Sequence, residues 1–160
     1  MKNNKEESVF LQEAISLSQE KMQANQGGPF GAIVVKNGEI IGRGWNQVTS
    51  SHDPTAHAEI MAIREACEAV GTFHLVGCDI YTSCEPCPMC LGAIYWAKIK
   101  TVYYANNRHD AAKIGFSDEF FYREMSLAPG ERTVKMIHQP STKALDVFEQ
   151  WKQKVDKIDY

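Results

Sequence analysis

The chain has 160 residues, 44% apolar and 23% charged, with a formal net charge of −3. That length suits one domain with a sizeable core, and that balance excludes a largely disordered chain. A mildly acidic chain is also a poor phosphate binder, so a broad nucleic-acid surface is not expected.

The polar start, MKNNKEESVF, lacks the apolar centre of a secretory signal. No apolar run reaches the roughly 18 residues that a membrane helix needs. The expectation is a cytoplasmic, reducing setting, where clustered cysteines serve metals or catalysis rather than disulfides. From Glu6 to about Asn25 the pattern is helical, with Leu11, Ala14, Ile15, Ser18 and Met22 on one face. QGGPFG, residues 26–31, breaks it. AIVVKNGEIIGRGWN then predicts a hairpin of two β-branched runs turning at Asn37-Gly38.

SSHDPTAHAEIMAIREACEAVG is loop, then helix, then a stop at Gly71. Ile60, Ile63, Cys67 and Val70 form its buried stripe, and Asp53 or Thr55 is the candidate cap. CDIYTS is a strand, PMCLGAIYWA a short helix opening at Pro88, and KTVYYA another strand. Short helices follow around 110–114 and 118–125, TVKMIH suggests a fifth strand, and a final helix runs from Lys143 to about Lys157. Helices alternating with strands imply a sheet covered on both faces. The expected fold is α/β, a three-layer α/β/α sandwich whose mixed sheet has about five strands.

Cys84, Cys87 and Cys90 fall within YTSCEPCPMC, each three residues apart. This is also the start of a ferredoxin-type run, but Ile94 stands where the next cysteine belongs and no proline follows. Helix position separates the three. Pro88 suits a first helical turn, which makes Cys87 the N-cap and puts Cys90 in the same turn. There the helix dipole favours thiolates. Cys84 lies at a strand end and reads as a small buried apolar group.

Two thiolates need a further ligand, and His57, which opens the helix of DPTAHAEI, is the candidate. His57, Cys87 and Cys90 leave one tetrahedral position open on a zinc ion, the mark of a catalytic site. Glu59 is then placed to accept a proton from a water at that position. A closed structural site with Cys84 as fourth ligand would leave Glu59 without a task.

His57-Ala58-Glu59 followed by Pro86-Cys87-Pro88-Met89-Cys90 resembles the H-x-E…P-C-x-x-C signature of zinc-dependent nucleobase deaminases. Together GGPFGAIVV, HDPTAHAEI, YTSCEPCPMCLGAIYWA and DAAKIGFSDEFFY look like the bacterial guanine deaminases, with the likeness weakest from about 127 to 143. The resemblance implies a cytidine-deaminase-like fold, one Zn²⁺ per chain, and hydrolysis of guanine to xanthine and ammonia. Zinc-activated water would attack C2 while Glu59 shuttles protons. It implies a single deaminase domain over 1–160 that forms a homodimer, with the segment from about 141 to 160 docked on the partner.

The implied substrate residues are Asn46, Phe30, Ala58, Asp118, Trp96 and Tyr160. Asn46 offers both a donor and an acceptor to a ring edge, although turns also favour asparagine. Phe30 can stack on a flat base or serve the core. Asp118 can accept from guanine N–H groups or cap the helix after Ser117. Trp96 would wall the pocket, and the terminal Tyr160 would enter the partner's site.

Three other readings stay open. A tRNA adenosine deaminase shares DPTAHAE and the PCxMC pattern, but should carry a basic strip. Guanosine or another aminopurine is a second possible substrate. A zinc-binding module without catalysis is a third, and the intact Glu59 speaks against it.

Overall fold

The computed structural model of the chain describes residues 4–159, with side chains from Val9 onward. Its elements in chain order are α1 Asn4–Gln23, β1 Gly31–Lys36, β2 Glu39–Trp45, the single turn α2 Val48–Ser51 and α3 Ala58–Val70. There follow β3 Cys78–Cys84, α4 Pro88–Trp96, β4 Thr101–Asn106, α5 Arg108–Lys113, α6 Asp118–Ser126, a 3₁₀ turn Pro129–Glu131, and α7 Thr142–Gln153.

Asn37 and Gly38 both take positive φ, 51° and 84°, so the predicted Asn-Gly turn closes the β1–β2 hairpin. β1 also pairs antiparallel with β3, and β3 pairs parallel with β4 across the α4 crossover. The sheet is therefore mixed, in the order β2-β1-β3-β4. The strands alternate faces. Ala32, Val34, Cys78 and Ile80 join Ala58, Ala62, Ile63, Ala66 and Ile94 of α3 and α4 in one core. Ile33, Val35 and Tyr81 pack with Ala14, Phe10 and Leu11 of α1 in the other. Helices thus cover both faces, as expected.

The buried face of α3 differs from the predicted isoleucine stripe. It is lined by Ala58, Ala62 and Ala66 with Ile63, while Ile60, Cys67 and Val70 are only partly buried. Small residues on both sides let the backbones meet. A Cβ on Gly42 would lie 2.4 Å from the Ala62 carbonyl oxygen. This close seating fixes α3 on β2, and with it the residues at its N-terminus. Gly71 ends α3 in the left-handed conformation, φ 67°.

Several expectations need correction. Among the described residues the sheet has four strands, not five. Residues 133–138 form no strand, because the alternation of Val134 and Met136 finds no neighbouring strand there. Met22 is exposed, since α1 ends one residue later, beyond the sheet. α7 stops at Gln153, where Lys154 leaves the helix at ψ 119°, so Val155 and Ile158 lie beyond it.

The chain forms two compact units, one up to Tyr122 and one from Arg123 on. The sheet, α1 to α5 and every residue of the site below belong to the first. In the second, α7 has no buried residue, and Leu145, Val147, Phe148 and Trp151 are exposed along it. Among the described residues no helix is long and apolar enough to cross a membrane.

Candidate active site

Two helix N-termini carry the donor groups. His57 is itself the N-cap of α3, with extended backbone, so Ala58 and Glu59 are its first helical residues. The expected caps fall elsewhere. Asp53 closes a preceding turn by accepting from the Thr55 N–H at 2.8 Å and its hydroxyl at 2.7 Å. Cys87 is the N-cap of α4, and Pro88 starts that helix, as the sequence predicts.

The Nδ1 of His57 lies 3.6 Å from Cys87 Sγ and 3.5 Å from Cys90 Sγ. One nitrogen and two sulfurs within 4.8 Å of one another make a donor set that could hold a metal ion. Borderline-soft nitrogen and thiolate donors suit zinc. Glu59 completes the cluster, its carboxylate accepting from the Cys90 thiol at 3.4 Å.

The electrostatics follow from burial and proximity. Contacts with Cys90 and His57 hold the Cys87 thiol down to about 4. Cys90 itself is pushed up by Cys87 and by burial. His57 is raised by its hydrogen bond to Cys87. Burial pushes the Glu59 carboxyl up to about 7, close to the pH at which a proton carrier works best.

The cluster forms one wall of a cavity of about 250 Å³. Phe30, Asn46, Ala58, Phe116 and Asp118 line the rest, together with Glu85 and Cys84.

A sequence model of the cytidine and deoxycytidylate deaminase zinc-binding region matches residues 4–106. The chain belongs to this zinc-binding deaminase family.

Within the family, this deaminase is 50% identical to a guanine deaminase of Bacillus subtilis over 95% of its own length and 97% of the relative's. A crystal structure of a guanine deaminase from Bacillus subtilis superposes with a TM-score of 0.93, at 50% identity, covering 96% of this chain and 98% of that one. A tRNA-specific adenosine deaminase of Aquifex aeolicus is 48% identical, but over only 48% of this chain and 51% of its own.

The structure brings most of the expected residues of this deaminase together. Asn46 is buried, but its Oδ1 already accepts from the Gly28 and Val48 N–H groups at 3.4 and 3.3 Å. It therefore presents its amide donors to the cavity, not the donor and acceptor expected. Phe30 meets the edge of Phe116, with ring centroids 4.7 Å apart and planes at 88°. Asp118 lines the cavity as the first residue of α6, and burial raises its carboxyl.

Two expected residues are not brought there. Trp96 ends α4, is 69% exposed and does not line the cavity; the helix points its first turn at the site and its last turn away. Tyr160 lies outside the described residues. Cys84 lines the cavity but does not join the donor set; its thiol reaches toward the Asn107 carbonyl at 3.8 Å, and burial pushes it up to about 11.

Glu85 and Phe116 are wall residues that sequence reasoning missed. Glu85 sits between Cys84 and Cys87, inside the motif, but motif spacing assigns a role only to the sulfurs. Phe116 was visible only within the GFSDEFFY stretch.

Proposed function

We propose that this deaminase hydrolyses guanine to xanthine and ammonia. The carrying observation is a His57, Cys87 and Cys90 donor set with buried Glu59, placed on the wall of a base-sized cavity. Likeness over nearly the whole of a guanine deaminase supports the substrate, whereas the adenosine deaminase likeness covers about half of each chain.

His57, Cys87 and Cys90 would hold the zinc ion. Bound there, zinc would acidify a water molecule and so supply the nucleophile. Glu59 takes the proton that this water loses and delivers it to ring nitrogen N3. Glu59 then takes the remaining proton of the hydroxyl added at C2 and passes it to the amine, so that the C2 carbonyl forms as the C–N bond breaks and ammonia leaves. Phe30, held edge-on by Phe116, offers a flat face to the purine. The Asn46 amide donates to an acceptor on the ring, and Asp118 accepts from ring or amine N–H groups. With both helix N-termini facing the cavity, the site is shaped for a flat, polar-edged base.

We assign the second unit to a homodimer in which residues from about 141 dock on the partner and Tyr160 helps close its site. The exposed apolar face of α7 supports this, because such surface is normally covered. Free thiols at Cys67, Cys78, Cys84, Cys87 and Cys90 fit a cytoplasmic setting.

The test is ammonia release from guanine, guanosine, adenine, cytosine and an anticodon-arm RNA. Guanine should dominate. Turnover of the RNA with none of guanine would overturn the assignment.

A further inference from the structure

Two carboxylates line the cavity besides Glu59, and they are held very differently. Glu85 is saturated. Its Oε1 lies 2.8 Å from Arg108 Nη2, and its Oε2 accepts from the Arg108 backbone N–H at 3.0 Å and from Arg108 Nε at 3.4 Å. This is a two-pronged guanidinium–carboxylate pair of the kind that fixes orientation as well as charge. Asp118 makes no such pair with a described residue, so its oxygens remain for a ligand.

Arg108 also connects the two. Its guanidinium carbon lies 4.2 Å from the ring centroid of Tyr122, one turn along α6 from Asp118. The Tyr122 hydroxyl donates to the Pro86 carbonyl at 2.9 Å. The Glu85 N–H donates to the Asn106 carbonyl at 2.8 Å. The turn 85–87 that delivers Cys87 is thus tied to the start of α5 and to the middle of α6. Phe116 and Asp118, which close the far wall, hang between those two attachment points.

We propose that Arg108 is a positioning residue for the bound base: its clamp on Glu85 and Tyr122 sets Phe116 and Asp118 at a fixed distance from the Cys87 and Cys90 side of the cavity. The clamp also neutralises Glu85, which would otherwise place an unpaired negative charge beside the ligand. No metal donor is itself part of the clamp, but the turn it holds also carries Cys87, so zinc content is read alongside base binding. The inference rests on the purine-base reading of the cavity.

The experiment compares wild type with Arg108→Met, Arg108→Lys and Tyr122→Phe in the full-length zinc enzyme. Each variant is followed by zinc content and by KM and kcat for guanine, and, in a Glu59→Gln background that does not consume the bound base, by the Kd of 8-azaguanine in calorimetry. Loss of the base contacts made by Phe116 and Asp118 should raise KM and the 8-azaguanine Kd about tenfold in Arg108→Met, with kcat within about twofold and zinc still one per chain. This is the pattern expected when binding common to ground and transition state is removed. Arg108→Lys, which keeps the charge but not the fork, should fall between. Tyr122→Phe, which keeps the ring but not the hydroxyl, should show a smaller rise.

A merely structural Arg108 would lower the melting temperature and leave KM and Kd unchanged below it; that result overturns the proposal. Loss of zinc in Arg108→Met also overturns it, since the clamp would then serve the metal. Wild type that binds 8-azaguanine yet releases no ammonia from guanine would sink the guanine assignment alone, and the Kd comparison would still decide the role of Arg108. Wild type that binds no purine would overturn both.

Discussion

Gly44 faces Ala58 so closely that a Cβ on the glycine would sit 2.1 Å from the Ala58 carbonyl oxygen. β2 and the first turn of α3 are therefore in backbone contact beside His57 and Glu59. Gly44→Ala cannot be accommodated by a side-chain shift, because the atom it meets is backbone. The substitution should destabilise the fold by about 1–3 kcal/mol, in the range of core overpacking. It should also move the α3 N-terminus outward and weaken zinc retention. Denaturant unfolding and a zinc assay under chelator challenge check both effects. A variant as stable and as zinc-tight as wild type would show that β2 yields instead.

Glu59 is the buried proton carrier of the proposed reaction. Glu59→Gln keeps the volume and leaves the His57, Cys87 and Cys90 donors in place. It should keep one zinc per chain and lose about 10²–10⁴-fold in kcat, the usual share of a positioned acid–base group. Metal analysis alongside single-turnover kinetics separates the two effects. Near-native turnover would remove Glu59 from the mechanism.

The three motif cysteines should part company in their reactivity. After chelation at neutral pH, Cys87 is held as thiolate, since its thiol sits at about 4, while the Cys84 thiol sits at about 11 and stays protonated. The thiolate is the reactive form. Iodoacetamide should therefore label Cys87 well before Cys84, which peptide mass spectrometry reads directly. In the same spirit, Cys84→Ala should retain zinc and Cys87→Ala should lose it. Preferential labelling of Cys84 would reverse the assignment of roles.

Much of the site was legible because its signals are local. Pro88 marks a helix start, so the positions of Cys87 and Cys90 follow from the first-turn geometry alone. The Asn37-Gly38 turn is equally local, since both positions need positive φ. What escaped depends on tertiary packing. The alanine face of α3 carries little hydrophobic signal and is explained only by the glycines opposite. Asn46 shows a donor and an acceptor in the sequence, yet backbone N–H groups of Gly28 and Val48 take the acceptor. Trp96 shares a helix with the metal cysteines, but two turns separate it from their end. The Glu85–Arg108 pair joins two turns that periodicity does not relate.

The proposed docking of the C-terminal segment can be tested in trans. A chain ending at Lys157 lacks Ile158, Asp159 and Tyr160 but keeps Glu59 and all three metal donors. It should bind zinc normally and turn over slowly. Full-length Glu59→Gln has the opposite defect, an intact tail with a dead site. If the tail closes the partner's cavity, mixing the two under conditions that exchange subunits should restore activity, because some dimers will pair a working site with a working tail. Random exchange of equal amounts puts about half of all working sites opposite an intact tail. Size-exclusion chromatography with light scattering should show a dimer throughout, and Phe148→Glu, which charges the exposed face of α7, should shift it toward monomer. If the truncated chain is fully active alone, or if mixing restores nothing, the tail does not act on the partner's site.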